Sequence, residues 1–149
     1  MALKVGDIAP DFNVNDQDGN PVTLSGLKGK KVVLYFYPKD NTPGCTAQSC
    51  NLRDNYQALQ AAGYEVLGVS SDSEKSHLKF IEKQNLPFRL LADVDKQVHN
   101  KYGTWAEKSM YGRKYMGTLR TTFLIDENGK IEEIIEKVKT KDHTAQILK

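Results

Sequence analysis

The sequence predicts an α/β fold: a mixed β-sheet covered by helices, with a β-hairpin extension at the N-terminus. Three observations carry that expectation. Strand-like and helix-like segments alternate along the chain, the two strongest strand runs are dense in β-branched and aromatic residues, and the last two strands flank a hairpin turn.

Two short strands come first, joined by the turn-forming run Asp16-Gln17-Asp18-Gly19-Asn20. Residues 31–37, KVVLYFY, and 64–70, YEVLGVS, the latter after the breaker Gly63, read as buried strands. Between them, residues 43–62 carry no proline after the first turn and set Cys45, Leu52, Tyr56 and Leu59 on one face, which predicts a single crossover helix. A second helix is predicted over 74–85, with Asp72 and Ser73 as capping candidates, Leu78 and Ile81 three apart, and Pro87 as its stop. A short strand, FRLL, and a helix over 94–102 ending at Gly103 follow. Residues 104–118, carrying Trp105, Met110, Tyr111, Tyr115 and Met116, read as a long irregular loop of the kind that often has a function. TTFLID (121–126) and KIEEII (130–135) flank Glu127-Asn128-Gly129, a strong hairpin signal, and a short helix closes the chain. That order is thioredoxin-like, and 149 residues suit one domain over 1–149.

Composition narrows the function classes. Lys and Arg number 21 against 19 Asp and Glu, a net charge of +2 with no dense basic block, so no nucleic-acid partner is indicated. No stretch approaches the roughly 18 apolar residues of a membrane span, and MALKVGDIAPDF lacks the apolar run of a signal peptide. The expectation is a cytoplasmic protein with no membrane partner. Structural disulfides are rare in the cytoplasm, so the two cysteines, Cys45 and Cys50, read as reactive, metal-binding or simply buried.

Both lie in PKDNTPGCTAQSC, residues 38–50. Thr42-Pro43-Gly44-Cys45 combines helix-start preferences: Thr at the N-cap, with a hydroxyl able to accept from the N–H of Cys45, and Pro43 at the first helical position, where its missing N–H costs nothing. Cys45 therefore falls in the first turn, where unpaired N–H groups and the positive end of the helix dipole favour a thiolate, the nucleophilic form. Gly44 lets a substrate approach the backbone closely, and Pro38 turns the chain away from the end of the preceding strand, so that residues 38–44 lead from a sheet edge to a helix tip.

Cys50 is five residues further on, about 140° around the helix and roughly 7.5 Å along it, toward Arg53, Asp54 and Gln57. The two Cα atoms should then lie about 8–9 Å apart. A disulfide needs less than about 7 Å, so an intact helix forbids the bridge and a reaction joining the two sulfurs must unwind the helix start. Two inert buried cysteines are the plainer alternative, which placement at a helix tip argues against. A metal site is not expected, because His77, His99 and His143 show no ligand spacing relative to the cysteines or to each other.

Pro38, Thr42 and Cys45 match the P-x-x-x-T-x-x-C signature of peroxiredoxins, and TPGCTAQSC resembles the Q type, also called bacterioferritin comigratory protein. The resemblance spans nearly the whole chain, through VGDIAPDF, KVVLYFYPKDNTPGCT, WAEKSMYGRKYMG and RTTFLID. It implies that Cys45 is the peroxidatic cysteine and Cys50 the resolving one, joined in turnover by a Cys45–Cys50 disulfide. It further implies that Thr42 and Arg120 hold the peroxide, that Pro38 shields the pocket, and that Pro43 and Gly44 shape it. Gln48 fits the family pattern, in which Glu is also common. By the same resemblance the substrates are hydrogen peroxide and organic hydroperoxides, the reductant is thioredoxin and the protein is a monomer. No C-x-x-C-H, G-x-G-x-x-G or G-x-x-x-x-G-K-S/T motif occurs, so no bound redox cofactor is expected.

Chemistry supports those roles. Attack on an O–O bond needs donors for the charge developing on the peroxide oxygens, which Arg120 and the N–H groups of Gly44 and Cys45 supply. Arg120 also stays charged at any working pH and so favours the thiolate. Two other classes compete. A thioredoxin-like disulfide oxidoreductase would carry C-x-x-C and a proline before the strand at TTFLID, where this chain has C-x-x-x-x-C and Leu119-Arg120. A binding module using the aromatic residues of 104–118 would have no redox activity at all.

Overall fold

The computed structural model describes residues 3–148, apart from the Met110 side chain, which lies outside the described set. Its centre is a five-stranded sheet built from β3 (Lys31–Phe36), β4 (Tyr64–Ser70), β5 (Arg89–Ala92), β8 (Thr121–Ile125) and β9 (Ile131–Ile135), in the order β5-β4-β3-β8-β9. β3, β4 and β5 run parallel, while β8 is antiparallel to β3, and β9 to β8. The sheet is therefore mixed, as the strand pattern predicts.

Because β3 is central, both of its faces are covered, which explains why its sequence is apolar throughout rather than alternating. Val32, Leu34 and Phe36 point to one cluster, with Val69, Phe123, Val98 and Tyr102. Val33, Tyr35 and Tyr37 point to the other, with Cys45, Leu52, Leu59, Phe80 and Ile147. The second face is roofed by α1 (Pro43–Asp54), α2 (Tyr56–Ala61), α3 (Glu74–Gln84) and α5 (His143–Ile147); α4 (Gln97–Tyr102) covers the first. The N-terminal hairpin, β1 (Asn13–Asn15) with β2 (Pro21–Thr23), adds Val14 and Val22 to the first face.

Four sequence expectations are corrected. The crossover helix is two helices, broken at Asn55 (φ −112°, ψ 16°), whose Nδ2 donates back to the Asn51 carbonyl at 2.8 Å and so competes with the helical ladder. In α3 the buried residues are His77 and Phe80, not Leu78, which is 37% exposed; Ser73 caps it as expected, accepting from Ser76 N–H at 3.1 Å. The stretch 104–118 is not an irregular loop. It is an antiparallel hairpin, β6 (Trp105–Met110) with β7 (Arg113–Thr118), turning at Tyr111 (φ 52°) and Gly112 (φ 79°). Positive φ at both central residues is the tight-hairpin geometry, ordinarily signalled by Asn-Gly or Asp-Gly, and tyrosine concealed it. Lastly, residues 38–44 leave the end of the central strand, not a sheet edge.

Candidate active site

The chain leaves β3 at Tyr37 and makes a tight loop before α1. Burial pushes the Tyr37 phenol well above its ordinary pKa, so it stays a donor, and it donates to Asp40 Oδ1 at 2.6 Å. Asp40 Oδ2 bonds His77 Nδ1 at 2.7 Å and accepts from Ser76 Oγ at 2.8 Å, while the Asp40 N–H donates to Asp72 Oδ2 at 2.8 Å. His77 Nε2 is also bonded, at 2.9 Å from the Leu91 carbonyl. Asp40, Asp72 and His77 bring potential metal-ligand atoms within 4.8 Å of one another, a grouping that sequence spacing did not reveal. Every one of them already serves a hydrogen bond that pins the loop to α3 and to the ends of β4 and β5.

Asn41 then takes a left-handed conformation (φ 62°), which asparagine tolerates, and Thr42 starts α1 in extended geometry with Pro43 next. One expectation fails here. The Thr42 hydroxyl does not cap the helix; it donates to the Lys39 carbonyl at 2.9 Å, back across the turn that Asn41 closes. The first-turn N–H groups, including that of Cys45, therefore keep no partner from within the helix or from its cap side chain.

Cys45 is 1% exposed and a free thiol. Arg120, just before β8 and half-buried, donates from Nη2 to Cys45 Sγ at 3.2 Å and from Nη1 to Gln48 Oε1 at 2.6 Å. Gln48 is itself fully buried, and its Nε2 is the one described buried side-chain N or O atom without a hydrogen-bond partner. Gly44 belongs here for steric reasons: a Cβ on it would lie 3.3 Å from Arg120 Nη2. Thus β8 and the first two turns of α1 bring Cys45, Arg120, Gln48 and Gly44 together, with Thr42 and half-buried Pro38 in the loop leading in and Pro43 exposed at the rim.

Cys50 is not part of that group. It is half-buried on another side of α1, where its Sγ donates to Gln84 Oε1 at 3.4 Å, and neighbouring Arg53 reaches the Gln84 carbonyl at 2.6 Å. The role of Gln48 was only partly visible in sequence, through its i, i+3 spacing from Cys45, which places the two on one helix face. A cavity of about 430 Å³ walled by Tyr102, Leu119, Arg120, Phe123 and Ile134 adjoins the arginine on the opposite face of the sheet.

A thiol at a helix start, held by a guanidinium at the end of the central strands of a thioredoxin-like sheet, defines a thiol-dependent redox enzyme of the α/β class. The chain belongs to the AhpC/TSA family, whose model matches residues 5–134, and within it to the peroxiredoxins of the Q, or bacterioferritin comigratory, type. A putative peroxiredoxin Bcp from Coxiella burnetii is 49% identical over 148 residues, covering 99% of this chain and 98% of the relative. The structure of Xanthomonas campestris peroxiredoxin Q matches with a TM-score of 0.89 at 36% identity, covering 98% of this chain and 92% of that one. A second structure, at 35% identity and TM-score 0.89 with 98% and 93% coverage, concerns alkyl peroxide reduction by the X. campestris bacterioferritin comigratory protein. Among the described residues, no helix is long and apolar enough to cross a membrane.

Proposed function

We propose that this thiol-dependent peroxidase reduces hydrogen peroxide and organic hydroperoxides through Cys45 and Cys50. The carrying observation is the 3.2 Å contact between Arg120 Nη2 and Cys45 Sγ at the start of α1. The Cys45 thiolate attacks one peroxide oxygen, an S–O bond forms as O–O breaks, and the departing alkoxide or hydroxide takes a proton to leave as alcohol or water. Arg120 and the first-turn N–H groups stabilise the charge that moves onto oxygen. Thr42 orients the peroxide, Pro38 shields it, and Pro43 and Gly44 shape the entry.

Cys45 is left as a sulfenic acid. Once α1 opens, Cys50 sulfur attacks it, S–S forms, S–O breaks and water leaves; an external dithiol, thioredoxin, then reduces the bridge. Residues 1–149 act as a single domain, in the cytoplasm and as a monomer.

Mixing the reduced protein with a stoichiometric amount of peroxide tests this reading. One equivalent should be consumed and a single Cys45–Cys50 bridge should appear in the peptide mass. Cys45→Ser should abolish consumption, and normal turnover by that variant would sink the assignment. Cys50→Ser should still consume one equivalent and accumulate sulfenic acid at Cys45, which a second equivalent of peroxide carries on to the sulfinic acid.

A further inference from the structure

The two sulfurs share one helix and meet only when that helix opens, so whatever fastens α1 governs the second half of the reaction. Asn51, next after Cys50, is such a fastening point. Its Nδ2 donates to the Lys141 carbonyl at 3.0 Å, and its Oδ1 accepts from the Thr144 N–H at 2.8 Å. Its main-chain carbonyl, near the end of α1, accepts from the Thr144 hydroxyl at 3.3 Å as well as from Asn55 Nδ2 at 2.8 Å. A carbonyl in the last turn of a helix has no helical partner to rely on, so these outside donors hold that end in place.

The segment that Asn51 grips is itself anchored. His143 Nε2 bonds Thr122 Oγ1 on β8 at 2.8 Å, Gln146 bridges to Lys137 and Lys139 at 2.9 Å each, and Ile147 is in the core. Asn51 therefore ties the Cys50 turn of α1 to the sheet by way of residues 141–144. None of its bonds touches Cys45, Arg120 or Gln48.

We propose that Asn51 is a positioning residue that sets how fast Cys50 reaches Cys45, and hence how the Cys45 sulfenic acid is partitioned. This rests on the assignment of Cys45 and Cys50 made above. In the productive branch the Cys50 sulfur displaces oxygen from Cys45, giving the disulfide and water. In the competing branch a second hydroperoxide oxidises the sulfenic acid to the sulfinic acid and is itself reduced to alcohol or water. Local opening of α1 is required only in the first, so the strength of its tether decides between them.

The experiment compares the unaltered protein with Asn51→Ala, Asn51→Asp and Thr144→Val. The peroxide step is read by competition for limiting peroxide; bridge formation and sulfinic acid are read by acid quench and peptide mass. Asn51→Ala should form the bridge about tenfold faster and yield correspondingly less sulfinic acid, with the peroxide step within about twofold. Asn51→Asp, which keeps the acceptor for Thr144 N–H but loses the donor to Lys141, should fall between. Thr144→Val, which removes one hydroxyl and keeps the shape, should shift the rate in the same direction by less, and it guards against a failure of the first variant to fold. Bridge formation at an unchanged or lower rate in the variants overturns the proposal. If the unaltered protein forms no Cys45–Cys50 bridge, the assignment of Cys50 falls, and this inference falls with it.

Discussion

Arg120 reaches Cys45 and Gln48 with different nitrogens of one guanidinium: Nη2 is 3.2 Å from the Cys45 sulfur and Nη1 is 2.6 Å from the Gln48 carbonyl oxygen. The second contact explains the first. A planar fork held at one tine has little freedom at the other, so the charge is aimed at the Cys45 sulfur, the fixed orientation that the proposed role of Arg120 calls for.

Replacing Arg120 by lysine keeps the charge and loses the fork. An ammonium reaching Cys45 from the same backbone position cannot also hold Gln48. The second-order rate with hydrogen peroxide is expected to fall about 10²–10³-fold, the scale of removing one oriented donor. Competition kinetics measure it; a loss under about threefold would mean that charge alone suffices and that the Gln48 contact is incidental.

Gly44→Ala tests the same geometry from the other side. The added Cβ would lie 3.3 Å from Arg120 Nη2, tighter than ordinary van der Waals contact, so the guanidinium must shift by a few tenths of an ångström. Displacements of 1 Å at a reacting centre cost about 10²-fold, so a loss of about threefold to tenfold is expected here, with the melting temperature nearly unchanged. Steady-state peroxidase assays with and without the substitution decide the matter.

Gln48→Glu puts a carboxylate against Arg120 in place of a neutral amide. An anion there draws the guanidinium toward itself and weakens its contact with the Cys45 sulfur, three residues earlier on the same helix face. The second-order rate with hydrogen peroxide, read by competition kinetics, is expected to fall several-fold relative to the unaltered protein, and an unchanged rate would mean that the guanidinium keeps its place at the sulfur. It would also remove an orphan, since the unpaired Nε2 donor costs about 1–3 kcal/mol in a buried site, and urea denaturation gauges that part of the change.

The order of strands and helices and the place of Cys45 were legible in the sequence because they depend on local signals. Apolar runs mark β3 and β4, and Thr42-Pro43 marks the start of α1. What escaped depended on contacts between distant segments. The helix break at Asn55 arises where the Asn55 amide and, 89 residues later in the chain, Thr144 both claim the Asn51 carbonyl, a competition that no helical periodicity encodes. Local preference pairs the Thr42 hydroxyl with its commonest partner, a helix N–H, but the left-handed Asn41 brings the Lys39 carbonyl closer. The β6–β7 hairpin lacked a conventional turn pair, because Tyr111 occupies a position usually given to Asn, Asp or Gly. Resemblance alone points to Arg120 in the sequence, because its contact with Gln48 joins residues 72 apart.

His143 carries a pH dependence whose direction follows from its surroundings. Burial first, and then the positive charge of Arg120, hold its pKa below the ordinary histidine value of 6.5, against the opposing effect of its bond to Gln146. Well above pH 6.5 the ring is neutral in both folded and unfolded chains and contributes no slope. As the pH falls below that value the unfolded chain binds the proton first, so stability declines until the folded-state pKa is also passed. The melting temperature should therefore drop between pH 7 and pH 5 by more in the unaltered protein than in His143→Asn. That variant starts lower, because it loses the bond to Thr122, but its slope lacks this contribution. Asp40–His77 and Asp93–His99 are common to both proteins and cancel in the difference. Calorimetric scans at half-unit intervals would show it, and parallel profiles for the two proteins would mean that His143 binds its proton as readily folded as unfolded.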